Sequence, residues 1–179
     1  MPAFDFNQDF FSLFQLPESY DVDMEQLQCR YRELLREVHP DRFAAATDGE
    51  RRLALQLSTR VNEAYETLKF PVSRAHYLLS LRGVTINPQQ TIANDPAFLM
   101  HQMSLREQLM DLRGQDNPEL ALDKLTSELE QLIDHQCTAF KASYNEQDYA
   151  EATSEVAKMQ FLFKLEEEVA RVEAEILDY

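Results

Sequence analysis

MEQLQCRYRELLREVHPD, residues 24–41, decides how the first half of this chain is read. Leu27, Tyr31, Leu34 and Val38 recur four, three and four residues apart, the spacing that lines one face of an α-helix. Asp21 and Asp23 stand ahead of the pattern as candidate caps, so the helix is expected to start near Asp23. Pro40 ends it, because the residue before a proline is pushed out of the helical region. A polar loop over residues 42–49 leads to a second pattern at 50–70, with Leu53, Leu57, Val61, Ala64, Tyr65 and Leu68 on its inner face. Two helices of this length joined by a short loop are expected to pack antiparallel.

Working outward, a short apolar segment runs from Asp9 to Leu16 and closes at Pro17. Pro71 breaks the second long helix, and a short helix over 72–81 ends at Gly83, a residue type that terminates helices. Residues 84–95 hold no sustained period and one charge, which marks a linker. Beyond it lie helical patterns at 96–113, 118–144 and 148–177, separated by Gly114 with Pro118 and by residues 145–148. The middle pattern places Leu122, Leu125, Leu129, Leu132 and Phe140 inside, and the last Leu162, Leu165, Val169, Val172 and Ile176. The expected architecture is all-α, with a module at 1–83, a linker at 84–95 and a three-helix bundle at 96–179.

Composition narrows what such a protein does. The 179 residues carry 17 basic and 32 acidic side chains, a formal net charge of −15 that repels nucleic acid and anionic lipid. The charge is uneven: residues 1–83 hold 10 basic and 13 acidic side chains, residues 84–179 hold 7 and 19, so nearly all the excess sits in the second module. Three glycines leave no Gly-rich phosphate loop. Cys29 and Cys137 stand apart with no paired-cysteine motif, as ordinary thiols of a reducing compartment. No stretch reaches the roughly 18 apolar residues of a membrane span, and residues 1–6 have neither the basic start nor the apolar run of a signal peptide. A cytoplasmic protein without membrane association is expected.

Two features stand out. His39-Pro40-Asp41 caps an amphipathic helix that carries Arg30, Arg32 and Arg36, and Arg42 follows. Three readings are open: a plain structural turn, a catalytic His/Asp pair, or a rigid polar tip that another protein grips. No third catalytic group is recognisable beside it, and His76, His101 and His135 are scattered without ligand spacing. The second feature is the helix from Pro96, which has two apolar faces. Phe98, Leu105, Leu109 and Leu112 share one sector, and Leu99, Met100, Met103 and Met110 share another. The second stripe either packs under the linker or against the first module, joins two copies of the chain, or stays open as a partner site, where adaptable methionines serve well.

The helix, the His39-Pro40-Asp41 tip and a return helix ending in residues 62–68 (NEAYETL) before a proline resemble a J-domain. Residues 9–17 (DFFSLFQLP), 74–81 (RAHYLLSL) and 95–100 (DPAFLM) extend the likeness to the HscB family, the J-domain co-chaperones of iron–sulfur cluster assembly. The resemblance spans nearly the whole chain. It implies an all-α fold, an N-terminal J-domain of a helical hairpin with short flanking helices, followed by a C-terminal three-helix bundle, with no cofactor and no enzymatic activity of its own. It implies that His39, Pro40 and Asp41, with Arg30, Arg32, Arg36 and Arg42, meet a DnaK-class chaperone, HscA, and stimulate its ATPase. It also implies that Leu99, Met100, Met103, Glu107, Asp111 and Phe161 bind the scaffold IscU. Two departures bear on this. Glu33 and Glu37 interleave with the arginines and mute the basic patch, and Ser104 replaces an expected acidic residue. Phe161 is expected to be partly exposed, and Phe163 to point further out.

Overall fold

A computed structural model describes residues 8–38, 47–85 and 95–177. These form helices throughout, with no strand among the described residues, as the all-α reading requires. The chain divides into two compact units, Met1–Leu81 and Arg82–Tyr179.

In the first unit, α1 (Phe10–Leu13) is a single turn capped by Asp9, whose carboxylate accepts from the Ser12 amide at 2.9 Å. Its phenylalanines are the reason for so short a helix: Phe10, Phe11 and Phe14 are buried, and Gln15 takes a positive φ of 56° that turns Leu16 inward as well. Phe10 stacks on Tyr77 at 4.4 Å, its amide donates to the Tyr77 hydroxyl at 2.8 Å, and the Arg60 guanidinium lies over the Phe10 ring, 4.4 Å from its centre. Helix α2 (Met24–Val38) begins at Asp23, whose Oδ1 accepts from the amides of Glu25 and Gln26. Leu27 and Val38 are buried, and Tyr31 and Leu34 half-buried.

Helix α3 (Asp48–Lys69) starts two residues earlier than expected. The reason is local: Thr47 accepts from the Glu50 amide while the Glu50 carboxylate accepts from the Thr47 amide, a reciprocal capping box that carries Gly49 inside the first turn. Its inner face buries Leu57, Val61, Ala64 and Leu68, with Ala54 added and Leu53 only half-buried. Tyr31 ties α2 to α3, stacking on Tyr65 at 3.9 Å and donating to Asn62 at 2.9 Å. Helix α4 (Pro71–Leu81) follows at once. Its Arg74 is buried, donating from Nη1 to the Leu68 carbonyl at 2.7 Å and lying 4.8 Å over the Tyr20 ring. That bond satisfies a carbonyl left open at the end of α3. Gly83, at φ 73°, lies just beyond the end of α4, as expected of a helix terminator.

Among its described residues the second unit has three α-helices, as expected. Helix α5 (Pro96–Asp111) runs into a 3-10 turn at Leu112–Gly114, and α6 (Pro118–Asn145) and α7 (Tyr149–Leu177) form a long hairpin. Asn117 caps α6 with Pro118 in its first turn, and the Asp148 carboxylate accepts from the Glu151 amide at the start of α7. At 16 residues α5 is little more than half as long as its partners, so it covers only one half of the hairpin. There Leu105 and Leu112 pack with Leu122, Leu125 and Leu129 of α6 and with Phe161, Leu162, Leu165 and Val169 of α7. Leu132 and Val172 are half-buried at its margin, and the side chain of Ile176 lies outside the described residues. No helix of the described residues is long and apolar enough to cross a membrane.

Candidate functional site

Helix α5 is fixed at its start by charge. Asp95 caps it, Oδ1 accepting from the Phe98 amide at 3.0 Å, and Oδ2 stands 3.1 Å from the Lys158 ammonium of α7. The bond from Phe98 and then Lys158 hold the Asp95 carboxyl below its ordinary value. Lys158 also lies 3.6 Å from the Glu155 carboxylate and 5.9 Å from the Phe98 ring centre. Burial alone would lower the Lys158 pKa, but the Asp95 bond and the Glu155 charge overcome it and raise it. Glu155 is buried and its carboxyl is pushed up to about 7, by burial first and by Glu151 second. Nothing in the local sequence signals this clamp, because Lys158 and Asp95 stand 63 positions apart.

With its first turn held, α5 presents its two apolar faces differently. Leu105 and Leu112 are buried and Phe98 and Leu109 half-buried against the hairpin. The other stripe faces solvent: Met100 is 73% exposed, Met103 63% and Met110 80%, with Leu99 half-buried. Glu107, Asp111 and Ser104 are exposed beside it. Among the described residues of this unit, none covers the stripe. Phe161 differs from the expectation. It is 8% exposed, not a partly open flank residue, because Phe98 meets it edge-on at 5.9 Å and Arg106 covers its ring at 5.3 Å. Arg106 is held in turn by Glu168 at 3.6 Å. Phe163, two residues on, is half-buried and so the more open of the pair.

On α2, Arg32 and Arg36 are exposed and Arg30 half-buried. Arg30 Nη1 bonds the Glu33 carboxylate at 2.9 Å, so one of the interleaved acids does offset the patch. His39, Pro40, Asp41 and Arg42 lie outside the described residues, as do residues 86–94 of the expected linker. Of the remaining histidines, His76 is half-buried with its pKa lowered by burial, His101 lies 3.3 Å from Glu128, and His135 is exposed. Among the described residues no group of three His, Cys, Asp or Glu side chains is placed to hold a metal ion. The described surfaces are of two kinds: an apolar, acid-edged helix face in one unit and an arginine-bearing helix in the other.

Comparison with known proteins agrees with that division. Residues 9–77 match the model of the DnaJ domain, and residues 94–170 match that of the HSCB C-terminal oligomerisation domain. The chain is 40% identical over 173 residues to a co-chaperone protein HscB homolog of Shewanella pealeana, a span covering 95% of this chain and 99% of that one. It is 38% identical over 170 residues to the co-chaperone protein HscB of Proteus mirabilis, covering 95% and 98%. Among solved structures, chaperone HscB from Vibrio cholerae superposes with a TM-score of 0.87 at 36% identity, covering 94% of this chain and 99% of that one. Human co-chaperone protein HscB gives 0.87 at 32% identity, covering 96% and 85%.

Proposed function

The chain belongs to the HscB family of J-domain co-chaperones, and from that premise we propose that it is an adaptor of iron–sulfur cluster assembly. In this reading the first unit engages an HscA-type, DnaK-class chaperone through His39, Pro40 and Asp41 with Arg30, Arg32, Arg36 and Arg42. The second unit holds an IscU-type scaffold on Leu99, Met100, Met103, Glu107 and Asp111, and Phe161 supports that face from beneath. The chain supplies no chemistry. It couples two binding events, and stimulation of the chaperone requires that the tip favour the hydrolysis-competent state over the alternative. Of the two modules expected from the sequence, 1–83 would carry the first contact and 96–179 the second.

The observation that carries the reading is the exposed methionine stripe on a helix whose opposite face is buried. An apolar stripe left open to water beside carboxylates suits a client with an apolar patch and basic surroundings. A pull-down with purified IscU-type scaffold tests it: Leu99/Met100/Met103→Ala is expected to lose the scaffold while keeping its helix content. Undiminished retention by the triple variant would show that this face is not the scaffold site. A J-domain co-chaperone for a different client is the alternative, and failure of the wild-type chain to retain the scaffold would favour it.

A further inference from the structure

We propose that scaffold docking, on the reading above, continues past the methionine stripe into the cleft between the C-terminal end of α5 and the first turns of α6. The segment it takes is a basic stretch of the scaffold carrying an apolar side chain that seats on Leu120. The cleft is open and holds about 510 Å³, lined by Ser104, Glu107, Asp111, Asp116, Leu120 and Lys124 among others. Three of these are carboxylates and one is a lysine, so its field favours a cationic occupant.

Leu120 is the residue that makes the cleft more than an acidic surface. It is 50% exposed, although the first turn it occupies is well ordered by its own amide donating to the Asn117 cap at 3.1 Å. Its exposure follows from its helix: Leu122, Leu125 and Leu129 take the core face, and a position two residues before Leu122 lies about 200° away from it. Around α5 the stripe, the carboxylates and the cleft succeed one another without a break. At 100° per residue Met110 falls about 20° and Met103 about 40° from Leu99, Glu107 (about 80°) and Asp111 (about 120°) flank Met100 at about 100°, and Ser104 follows at about 140°, at the cleft edge. A partner seated on Met103 and Met110 thus meets the carboxylates and then Leu120.

The test measures scaffold affinity by calorimetry for the full chain and for Leu120→Ser, Asp116→Asn and the Leu99/Met100/Met103→Ala triple. Leu120→Ser lies on the surface and is expected to keep the wild-type melting behaviour while weakening binding about tenfold, the loss of one apolar anchor. Asp116→Asn is expected to weaken binding about two- to fivefold and flatten its salt dependence. If the triple variant loses the scaffold while both cleft variants bind as wild type, the cleft is wrong and the stripe stands. If the cleft variants lose affinity and the triple does not, the cleft stands and the stripe assignment fails. If the wild-type chain does not bind the scaffold, both fall. A photo-crosslinking residue at position 120 supplies the chemistry: crosslinks to a segment rich in lysine and arginine support the proposal, and crosslinks to an acidic or uncharged segment overturn it.

Discussion

Glu155→Gln is expected to stabilise the protein, and to do so only where the wild-type carboxyl is charged. The wild-type carboxyl is buried beside Glu151, and the ammonium of Lys158 at 3.6 Å does not compensate, because Asp95 already holds that ammonium at 3.1 Å. Folding therefore raises the carboxyl from an ordinary 4.5 to about 7. Between these values the folded chain binds more protons than the unfolded one, so stability falls as pH rises through the window and levels off above it. At about 1.4 kcal/mol for each pH unit of that interval, the ionised carboxyl costs about 3 kcal/mol near pH 8. A glutamine of the same shape removes the charge and keeps an oxygen for Lys158. For a chain of this size about 3 kcal/mol corresponds to a melting temperature about 6–12 °C higher. Thermal unfolding by far-UV circular dichroism should show that gain near pH 8, most of it lost by about pH 5 and the rest gone near pH 4, below the ordinary 4.5, where both states hold the proton. A variant that melts lower than wild type near pH 8, or gains equally near pH 8 and near pH 4, would refute the reasoning.

Three further outcomes follow from particular contacts. Arg74→Met removes the bond to the Leu68 carbonyl and the guanidinium over Tyr20, and should lower the stability of the first unit by about 2–4 kcal/mol, read as a fall in the urea midpoint with an unchanged slope. Thr47→Ala dismantles the capping box at the start of α3 and should cost about 1 kcal/mol, with faster amide exchange confined to the first turn of that helix. Glu33→Gln releases Arg30 from its 2.9 Å ion pair; chaperone binding should strengthen by about two- to threefold at low salt and the gain should vanish at high salt, as titration at two ionic strengths would show.

What the sequence made legible is what short-range rules decide. The spacing of Leu27, Tyr31, Leu34 and Val38 gave α2 to within a residue, and Pro96, Pro118 and Asn145 marked bundle-helix boundaries equally well, while α5 ends two residues short of the expected 113 where the chain tightens into the 3-10 turn. The two-faced character of α5 was also visible, since it depends only on the angle between neighbouring positions. The start of α3 was missed although Thr47-x-x-Glu50 spells out its cap, because Gly49 drew the boundary past it. Phe161 was misjudged for another reason. A helical wheel places it at the edge of the α7 stripe, but its burial is decided by Phe98 and Arg106 arriving from α5. The Asp95–Lys158–Glu155 clamp and the cleft at Leu120 are likewise tertiary, made by side chains that no local pattern relates.

The adaptor account is tested most directly by single-turnover ATP hydrolysis on an HscA-type chaperone, with the chain and the IscU-type scaffold added separately and together. The account predicts that the two together accelerate hydrolysis by more than the product of their separate effects. It predicts as well that His39→Gln abolishes the chain's own stimulation while still retaining the scaffold. Equal stimulation by His39→Gln, or a scaffold that adds nothing in the chain's presence, would contradict it.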